Sequence, residues 1–550
     1  MEIFCYQCEQ TFGGMGCSVV GVCGKDPETA ALQNLVVEAA KGIAVLAHRA
    51  AQLGAHEHAL GRSVIDALFT TVTNVNFDPE RLVKNLQALG ESLERAWALY
   101  QTASERTGST LEARSGCTAW RPAPDRAGLL AQAKGVSLRA RKRAYGPDIT
   151  GLRELVLYGL KGAAAYAHHA AALGTEDSAV YAYFHEALAF LARTDCTLDE
   201  LVAAALRCGE LNLKIMGMLD GAHAGRFGHP SPTAVRVTPV AGKAIVVTGH
   251  DLLDLEALLE QTDGKGINVY THGEMLPAHG YPGLRKHKHL VGNYGGAWQD
   301  QVLEFGAFPG AIVFTTNCLQ APDPSYRDRV FSMGLVAHPR VKHLATRDFS
   351  PVIAAALAAP GFAASDPEKT ITVGFGHQAV MGVADQVVAA VKSGAIKRFF
   401  LIGGCDGARP GRNYFTELAE AVPKDCVILT LACGKYRFNK LEHGAIGGIP
   451  RLLDIGQCND AFAAVQIASA LAQALGTDVN GLPLSLVLSW YEQKAVAVLL
   501  SLLHLGIRGI RLGPTLPAFV TPAVLKVLVR RFDLKPITTV GEDLAACLSA

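Results

Sequence analysis

Four cysteines crowd the start of the chain, at Cys5, Cys8, Cys17 and Cys23. The chain of 550 residues contains thirteen cysteines, and clustered cysteines in a large cytosolic protein indicate metal or redox chemistry more often than disulfides. The uneven spacing Cys-x2-Cys-x8-Cys-x5-Cys is typical of a loop that wraps around an iron–sulfur cubane. Zinc is the competing interpretation, although zinc sites usually pair two short Cys-x2-Cys knuckles.

A second group of metal-capable residues lies in the other half of the chain, where each follows a short β-branched or aromatic run. Parallel strands place their carboxyl ends along one edge of a sheet, where open α/β sheets build ligand sites. We therefore predict that these side chains meet in one crevice. The alternative is a set of unrelated buried thiols, one histidine and two glutamates. The residues are His250, Glu274, Cys318, Cys405, Cys433, Cys458 and Glu492.

The types of these seven side chains constrain the metal. Thiolates favour iron–sulfur or zinc, whereas carboxylates and imidazole suit harder iron or bound oxygen. Structural zinc takes four ligands, so seven are too many for it. A polynuclear iron cluster bridged by both sulfide and oxygen would use such a mixture, and its open iron positions could bind a small molecule.

Two kinds of element must position these groups. From Asp26 to about Arg226 apolar residues recur at helical spacing. Residues 41–54 match residues 161–174 at an offset of 120, and later pairs repeat at an offset of 119, so we expect two copies of about three helices. After Pro230 and Pro232 short strands alternate with helices, as in parallel α/β layers.

The sequence therefore predicts a multidomain protein of α and α/β class. An N-terminal helical domain of two duplicated three-helix bundles, with the cysteine loop, is expected over residues 1–230. Two α/β domains with largely parallel sheets are expected over residues 231–365 and 366–550.

Composition excludes several classes of protein. Apolar types make up 49% of the chain and charged types 18%, which excludes intrinsic disorder. The net charge of +1 gives no global attraction to nucleic acid or membrane. No apolar run reaches about 18 residues, and the first residues do not resemble a secretion signal, so we expect a cytoplasmic protein.

Two weaker motifs receive structural interpretations. Residues 139–143, Arg-Ala-Arg-Lys-Arg, are interpreted as a solvated helix face, because no aromatic residues are interleaved for base stacking. Residues 374–379 fit G-x-G-x-x-A, but the acidic residue expected about 20 positions later is Asp406, about thirty positions on. We interpret this segment as a plain strand–helix turn and predict no NAD site.

The motifs together resemble those of the hybrid-cluster proteins, also called prismane proteins or hydroxylamine reductases. The resemblance extends from end to end of the chain, and no ligand position departs from the family pattern. Its segments are FCYQCEQT at 4–11, GH at 249–250, THGEMLP at 271–277, NC at 317–318, GGCDG at 403–407, ACGKYRFN at 432–439, QCND at 457–460 and WYEQK at 490–494.

The resemblance implies a helical domain followed by two Rossmann-like domains related to those of carbon monoxide dehydrogenase. It implies a [4Fe-4S] cubane held by the four N-terminal cysteines, of the four-iron type. It also implies a hybrid [4Fe-2O-2S] cluster held by the seven residues at the strand ends, with Cys405 carrying an extra sulfur as a persulfide.

The activity implied by the resemblance is two-electron reduction of hydroxylamine to ammonia and water. Reduction of nitric oxide to nitrous oxide at the same cluster is one alternative. A nitric-oxide-responsive protein that nitrosylates partner thiols through Cys405, as part of a response to nitrosative stress, is another. Carbon monoxide dehydrogenase chemistry is disfavoured, because two glutamates have no obvious use at a thiolate-rich nickel site.

Two residues near the expected glutamate ligands are candidate proton donors. Lys494 follows Glu492 by two residues and His272 precedes Glu274 by two, so on a strand each would share the ligand's face. The alternative role for both is structural support of the ligands. A convincing nucleotide fingerprint is absent from the sequence, which favours a separate electron-donor protein.

Overall fold

A computed structural model describes residues 3–549, and its N-terminal part is helical. Residues 1, 2 and 550, which the predicted domain ranges include, lie outside the described residues. The predicted helical region is confirmed, because its first helix starts one residue after the capping side chain of Asp26 and its last ends at Phe227. The helices are α1 (Pro27–Gln52), α2 (His58–Thr70), α3 (Pro79–Thr107), α4 (Arg126–Ala133), α5 (Leu138–Ala172), α6 (Ser178–Ala192) and α7 (Leu198–Phe227).

The predicted duplication is visible in the helices. Helix α6 begins 120 residues after α2, and α7 begins 119 residues after α3. The two copies are not separate bundles, however. Helix α1 packs against α6 as well as α3, and α2 packs against α5, so the two repeats share one apolar core.

Helix α1 has the length and apolar composition of a membrane-spanning helix, but it is buried in the protein. Among the described helices it is the one that is long and apolar enough to cross a membrane. Within its most apolar 18 residues, 78% are buried inside the protein. It packs against α2, α3 and α6. The apolarity of α1 is therefore that of a core helix.

The first α/β region is built on a six-stranded parallel sheet with the order β4-β3-β2-β5-β6-β7. Its strands are almost wholly buried, as expected for a parallel sheet covered on both faces. The elements are β1 (Thr233–Arg236), β2 (Lys243–Thr248), α8 (Leu252–Thr262), β3 (Ile267–His272), α9 (Pro282–Arg285), β4 (Leu290–Asn293), α10 (Gln301–Ala307), β5 (Ala311–Phe314), β6 (Val330–Met333), β7 (Lys342–Leu344) and α11 (Ser350–Ala358).

The second α/β region repeats this plan with the order β13-β10-β9-β14-β15-β16, again all parallel. Its elements are β8 (Thr370–Val373), α12 (His377–Met381), α13 (Ala384–Lys392), β9 (Arg398–Gly404), α14 (Asn413–Ala421), β10 (Cys426–Thr430), β11 (Ala445–Ile446), β12 (Ile449–Pro450), β13 (Leu452–Asp454), α15 (Ala461–Leu475), β14 (Leu484–Ser489), α16 (Gln493–His504), β15 (Arg511–Gly513), α17 (Pro522–Phe532), β16 (Lys535–Pro536) and α18 (Val540–Leu548).

Both sheets have the strand order of a doubly wound dinucleotide-binding fold, 3-2-1-4-5-6 when counted within each sheet. The connections therefore reverse direction between β2 and β5 in the first sheet and between β9 and β14 in the second. A crevice opens at the carboxyl ends of the strands at such a switch point. The fold class predicted from the sequence is confirmed. Each of the two sheets has one such crevice at its switch point.

The segment with the G-x-G-x-x-A pattern does not belong to either sheet. Strand β8, which precedes it, pairs with β1 in antiparallel orientation, and the helix that follows, α12, has five residues. A dinucleotide fingerprint requires a parallel strand–helix–strand unit. The arrangement agrees with the interpretation as a strand–helix turn.

Helix α16 joins the second α/β region to the helical part, because it packs against α5 and α7. Two glycines permit this close approach: a side chain at Gly162 would collide with the carbonyl of Gln493, and one at Gly209 with that of Leu500. The division into three domains at residues 230 and 365 stays a prediction.

Substitution of Gly209 by alanine tests this contact. The added methyl group would meet the Leu500 carbonyl, and such overpacking costs about 1–3 kcal/mol, so the melting temperature should fall. Gly221→Ala is the matched control in the same helix, with nothing within 4 Å of the new methyl group. It should keep or raise the melting temperature, and equal melting of both variants would contradict the close approach.

Candidate metal centres

Each of the seven predicted metal-binding residues lies just beyond the carboxyl end of a strand. His250 follows β2, Glu274 follows β3 and Cys318 follows β5 in the first sheet; Cys405 follows β9, Cys433 follows β10, Cys458 follows β13 and Glu492 follows β14 in the second. In both sheets the first and fourth strands, which flank the switch point, contribute one residue each. The placement therefore agrees with the prediction from the sequence.

The two crevices face each other, because residues from both sheets are in contact. The Glu274 carboxylate accepts a hydrogen bond from the backbone N–H of Cys458 at 2.8 Å, and its Oε2 lies 3.7 Å from Nε2 of His250. One potential ligand atom from each of these three residues lies within 4.8 Å of the others. Both sheets thus contribute to one buried site.

The remaining thiols belong to the same locus. Cys405, Cys433 and Cys318 pack in one contact cluster with Trp298 and Tyr491. Burial raises the pKa of the Cys433 thiol well above its usual range, and the nearby charges of Glu274 and the other three cysteines raise it further. Burial also raises the pKa of Cys405, to about 12.

The backbone at this site is strained where the cysteines are presented. Four non-glycine residues of the described chain have positive φ, and two of them are Cys318 (φ 76°) and Ala432 (φ 62°), which precedes Cys433. Gly404, with φ 104°, precedes Cys405, and a side chain there would collide with the Ser489 carbonyl. Such conformations persist when the surroundings enforce them, and they concentrate at functional sites.

The ring of His250 is oriented by a threonine that the sequence analysis did not single out. Thr316 Oγ1 accepts a hydrogen bond from the His250 backbone N–H at 2.8 Å and lies 3.0 Å from Nδ1. A proton on Nδ1 leaves the Nε2 lone pair directed into the site, which is the arrangement of a metal-bound histidine. Burial, and then the charge of Lys494, lower the pKa of His250 well below its usual value.

Lys494 lies inside this site, although not for the predicted reason. Strand β14 ends at Ser489, and Glu492 caps helix α16 by accepting from the Lys494 N–H at 2.9 Å, so Lys494 lies in a helix rather than on a strand. Its Nζ lies 3.0 Å from His250 Nε2 and donates to Asn317 Oδ1 at 3.1 Å. Burial disfavours its charge, but the negative charges of Cys458, Glu492 and other nearby acidic groups outweigh this effect, and the pKa of Lys494 is raised.

His272 does not make the contacts expected for a strand neighbour of Glu274. It is the last residue of β3, and Glu274 lies in the short 3-10 helix Gly273–Gly280 that follows, so the two side chains do not share a strand face. The His272 Nδ1 atom lies 3.1 Å from Thr248 Oγ1, and Nε2 lies 2.9 Å from Glu304 Oε2. Both ring nitrogens are therefore engaged by other groups.

These seven side chains have the properties that a mixed iron cluster requires. Oε1 of Glu274 is buried without a hydrogen-bond partner, and the four cysteines are free thiols. Burial and mutual repulsion oppose ionisation of the thiols, and one lysine cannot compensate several thiolates. A polynuclear cation would compensate them, because metal binding stabilises the deprotonated ligands.

The four N-terminal cysteines form a second group in a compact surface loop. Cys5 and Cys17 exchange backbone hydrogen bonds of 3.1 and 2.8 Å, and the N–H of Phe12 donates to Cys17 Sγ at 3.4 Å. Burial raises the pKa of the Cys8 thiol well above its usual range, as do the charges of the other three cysteines. Cys5 and Cys23 are half-buried, so this group lies closer to the surface than the seven-residue site.

A buried ion pair anchors the N-terminal loop against the larger site. Glu9 accepts a hydrogen bond from Arg412 at 2.6 Å, and both side chains are almost fully buried. Arg412 also donates to the Ser489 hydroxyl at 2.6 Å, the Trp490 carbonyl at 3.0 Å and the Cys405 carbonyl at 3.4 Å. One side chain thus connects both cysteine groups.

Two stacked aromatic rings pack with cysteines of both groups. The rings of Trp298 and Tyr491 have centroids 4.5 Å apart and an interplanar angle of 28°. Both pack in one contact cluster with Cys8 of the N-terminal group and Cys405 of the larger site. Burial raises the pKa of Tyr491 well above its usual value, as do the charges of Cys8, Cys23 and Cys318. The phenol ring is therefore close to both groups.

An apolar cavity of about 240 Å³ reaches the larger site from the second α/β region. Cys405, Cys458 and Tyr166 form part of its wall, and the rest is mostly aliphatic, from β9, β10, β14, α15 and α16. The sequence analysis did not predict this cavity. No single stretch of the sequence indicates it, because the lining residues are dispersed over many helices and strands and resemble ordinary core residues.

Comparison with known proteins assigns the fold family. The model of the Prismane/CO dehydrogenase family matches residues 3–545. The chain belongs to this family. The match covers the cysteine loop, the helical part and both α/β regions, as the resemblance implied.

Relatives and solved structures extend this assignment. A protein from Geobacter metallireducens named hydroxylamine reductase is 58% identical over the full length of both chains. One of the same name from Rhodospirillum rubrum is 55% identical over 99% of each chain. The crystal structure of a carbon monoxide dehydrogenase from Thermococcus sp. AM4 aligns with a TM-score of 0.55 at 16% identity, covering 99% of this chain and 90% of that one, which shows a shared fold.

Replacement of Arg412 by methionine should loosen the N-terminal loop. It leaves Glu9 buried with Arg409 as its remaining cation, and breaking a buried ion pair costs about 3–5 kcal/mol. We expect a lower melting temperature and faster proteolysis within the first 25 residues. The double variant Glu9→Gln, Arg412→Met removes both charges and should melt above Arg412→Met alone. If the double variant is no more stable, the charge pair does not anchor the loop.

Proposed function

We propose that this protein is a hydroxylamine reductase, which converts NH2OH, two electrons and two protons into ammonia and water. The observation that carries the proposal is the meeting of four thiols, two carboxylates and one imidazole at the junction of two switch points. The names of full-length relatives at 55–58% identity support the same activity. The substrate is a small nitrogen compound, and the electrons come from a separate donor.

The two cysteine groups have different roles in this proposal. The N-terminal group holds a [4Fe-4S] cubane, and the larger site holds a hybrid [4Fe-2O-2S] cluster with Cys405 as a persulfide. When bound, the hybrid cluster supplies a Lewis-acidic iron and the electrons that break the N–O bond. The ligands are Cys5, Cys8, Cys17 and Cys23 for the cubane, and His250, Glu274, Cys318, Cys405, Cys433, Cys458 and Glu492 for the hybrid cluster.

Lys494 is the group best placed to deliver a proton. Its ammonium is fully buried, 3.0 Å from His250 Nε2 and 3.8 Å from Glu492 Oε1, and the raised pKa keeps it protonated. His272 has a more remote role, because both of its nitrogens are engaged. It connects Glu304, whose side chain is 23% exposed, to Thr248 in the interior, and we assign it to proton supply rather than to substrate contact.

Nitric oxide reduction is a second candidate for the same site. The specific observation in its favour is the apolar cavity that ends at Cys405 and Cys458, because an uncharged apolar gas partitions into such a cavity more readily than hydroxylamine does. Protein nitrosylation through Cys405 has no such support. That thiol is buried, and its pKa is raised to about 12, whereas reactive thiols are exposed with a lowered pKa.

Anaerobic preparation and metal analysis test the proposal directly. We expect about eight irons per chain, with sulfide, from one cubane and one four-iron hybrid cluster. Viologen-driven turnover should yield ammonia from hydroxylamine. Cys433→Ser should lose about half of the iron and the ammonia formation, whereas Cys117→Ser, outside both groups, should lose neither. Full turnover without iron would refute the proposal, and faster conversion of nitric oxide in competition would favour the second candidate.

Lys494→Met tests proton delivery. Removing a general acid slows turnover by about 10²–10⁴-fold, and Lys494→Arg, which keeps a cation, should be less affected. Iron content and the paramagnetic resonance of the hybrid cluster must be measured on the same samples. A normal rate in iron-replete Lys494→Met would exclude Lys494 from proton delivery, and a loss of iron would assign it to ligand support instead.

A further inference from the structure

The N-terminal cysteine loop displays an unusual concentration of exposed apolar side chains. Sixteen large apolar side chains are exposed in the described part of the chain, and five of them lie within residues 12–22. The other eleven are dispersed over the remaining surface. We call residues 12–22 the apolar tip. Its exposed side chains are Phe12 (68%), Met15 (74%), Val19 (79%), Val20 (51%) and Val22 (54%).

The apolar tip is next to the proposed cubane site in sequence and in space. Cys17 and Cys23 lie within or directly after it, and the Phe12 N–H donates to Cys17 Sγ at 3.4 Å. A molecule seated on the tip would therefore lie against the ligands of this site. Exposed apolar patches mark interaction surfaces in soluble proteins.

Basic side chains border the tip on one side through Phe4. A side chain at Gly16 would collide with the Phe4 ring, so this ring packs directly against the tip. The guanidinium of Arg139 and the ammonium of Lys142 lie 5.4 and 5.1 Å from the centre of the same ring. Both belong to the start of helix α5, where residues 134–143 carry five basic residues and no acidic one.

The tip itself carries no acidic side chain. Residues 10–25 contain no aspartate or glutamate, and Glu9 is buried against Arg412. The Arg409 guanidinium, which pairs with Glu9 at 3.3 Å, also approaches Gly14 of the tip, with Nη2 3.9 Å from the position of an added Cβ. The whole chain has a net charge of only +1, so this cationic border is local.

We propose that the apolar tip and its cationic border form the docking surface for a small acidic iron–sulfur protein of the ferredoxin type, which supplies the electrons. Electron-transfer encounters use small interfaces, below about 1,200 Å², and complementary charge accelerates their formation. An apolar centre beside the cubane ligands and a cationic rim meet both requirements. The inference rests on the proposed function, because it names the partner that reduces the N-terminal site.

Kinetics with an acidic bacterial ferredoxin test the surface. Each encounter transfers one electron from reduced ferredoxin, so two ferredoxins are oxidised for each hydroxylamine. The rate constant for reduction of the loaded protein should fall with increasing salt. Arg139→Glu combined with Arg143→Glu should lower it by about tenfold at low salt, and Val19→Ser should raise the KM for ferredoxin without changing kcat. Lys265→Glu, an exposed cation outside this surface, is the matched control and should behave as the parent protein.

Binding provides a readout that does not depend on turnover. Gallium-substituted ferredoxin, which cannot transfer electrons, should bind the parent protein in calorimetry and bind the Arg139→Glu, Arg143→Glu variant more weakly. Carbodiimide should cross-link ferredoxin carboxylates to Lys142 or Lys134. Cross-links confined to other surfaces, or binding indifferent to the charge reversal, would overturn the proposal. Binding of the tip to anionic phosphatidylglycerol vesicles, but not to ferredoxin, would also overturn it.

Reduced methyl viologen separates this inference from the proposed function. It is a small radical monocation that needs no protein docking surface, so it should reduce all the variants at the parent rate. If viologen-driven turnover is intact and the tip variants are reduced by ferredoxin at the parent rate, the docking surface is rejected and the proposed function is not. Failure of viologen-driven hydroxylamine reduction in the parent protein would reject the function.

Discussion

The interior of this protein must accommodate many ionisable, metal-capable side chains at once, and much of the structure follows from that constraint. Four thiols, two carboxylates and an imidazole lie in a region where burial raises the pKa of the four thiols and of Glu492 and lowers that of His250. Charge in such surroundings requires a compensating partner. Lys494 supplies one positive charge, and the donor set fits a polynuclear iron cluster for the rest.

Two facing switch points explain how so many ligands reach one place. A single open sheet presents few positions at its crevice, because each strand end contributes about one side chain. Two sheets of identical strand order double that number, and Glu274 and Cys458 show the two edges in contact. The helical part holds this junction, since α16, which begins next to Glu492, lies against α5 and α7 at glycine positions.

The sequence predicted the parts of the site that are local and missed those that depend on packing. Short buried runs ended by metal-capable residues identified the strand ends, and the repeat identified the helices. Lys494 was expected on a strand, yet Glu492 caps a helix there. His272 was expected beside Glu274, but Thr248 and Glu304 engage its ring. Tertiary partners such as these, and a cavity lined by residues from many separate elements, leave no pattern along the chain.

The separation of the two cysteine groups has a physical rationale. A site that must exclude water and meet a partner protein cannot do both at one surface, so the proposed function assigns electron entry to the N-terminal group and the reaction to the buried one. The stacked rings of Trp298 and Tyr491 pack with cysteines of both groups. Arg412 fixes their relative position, because its guanidinium binds Glu9 beside the first group and the Cys405 carbonyl in the second. A loop held so firmly at its base can present an apolar tip to solvent without disturbing the buried site.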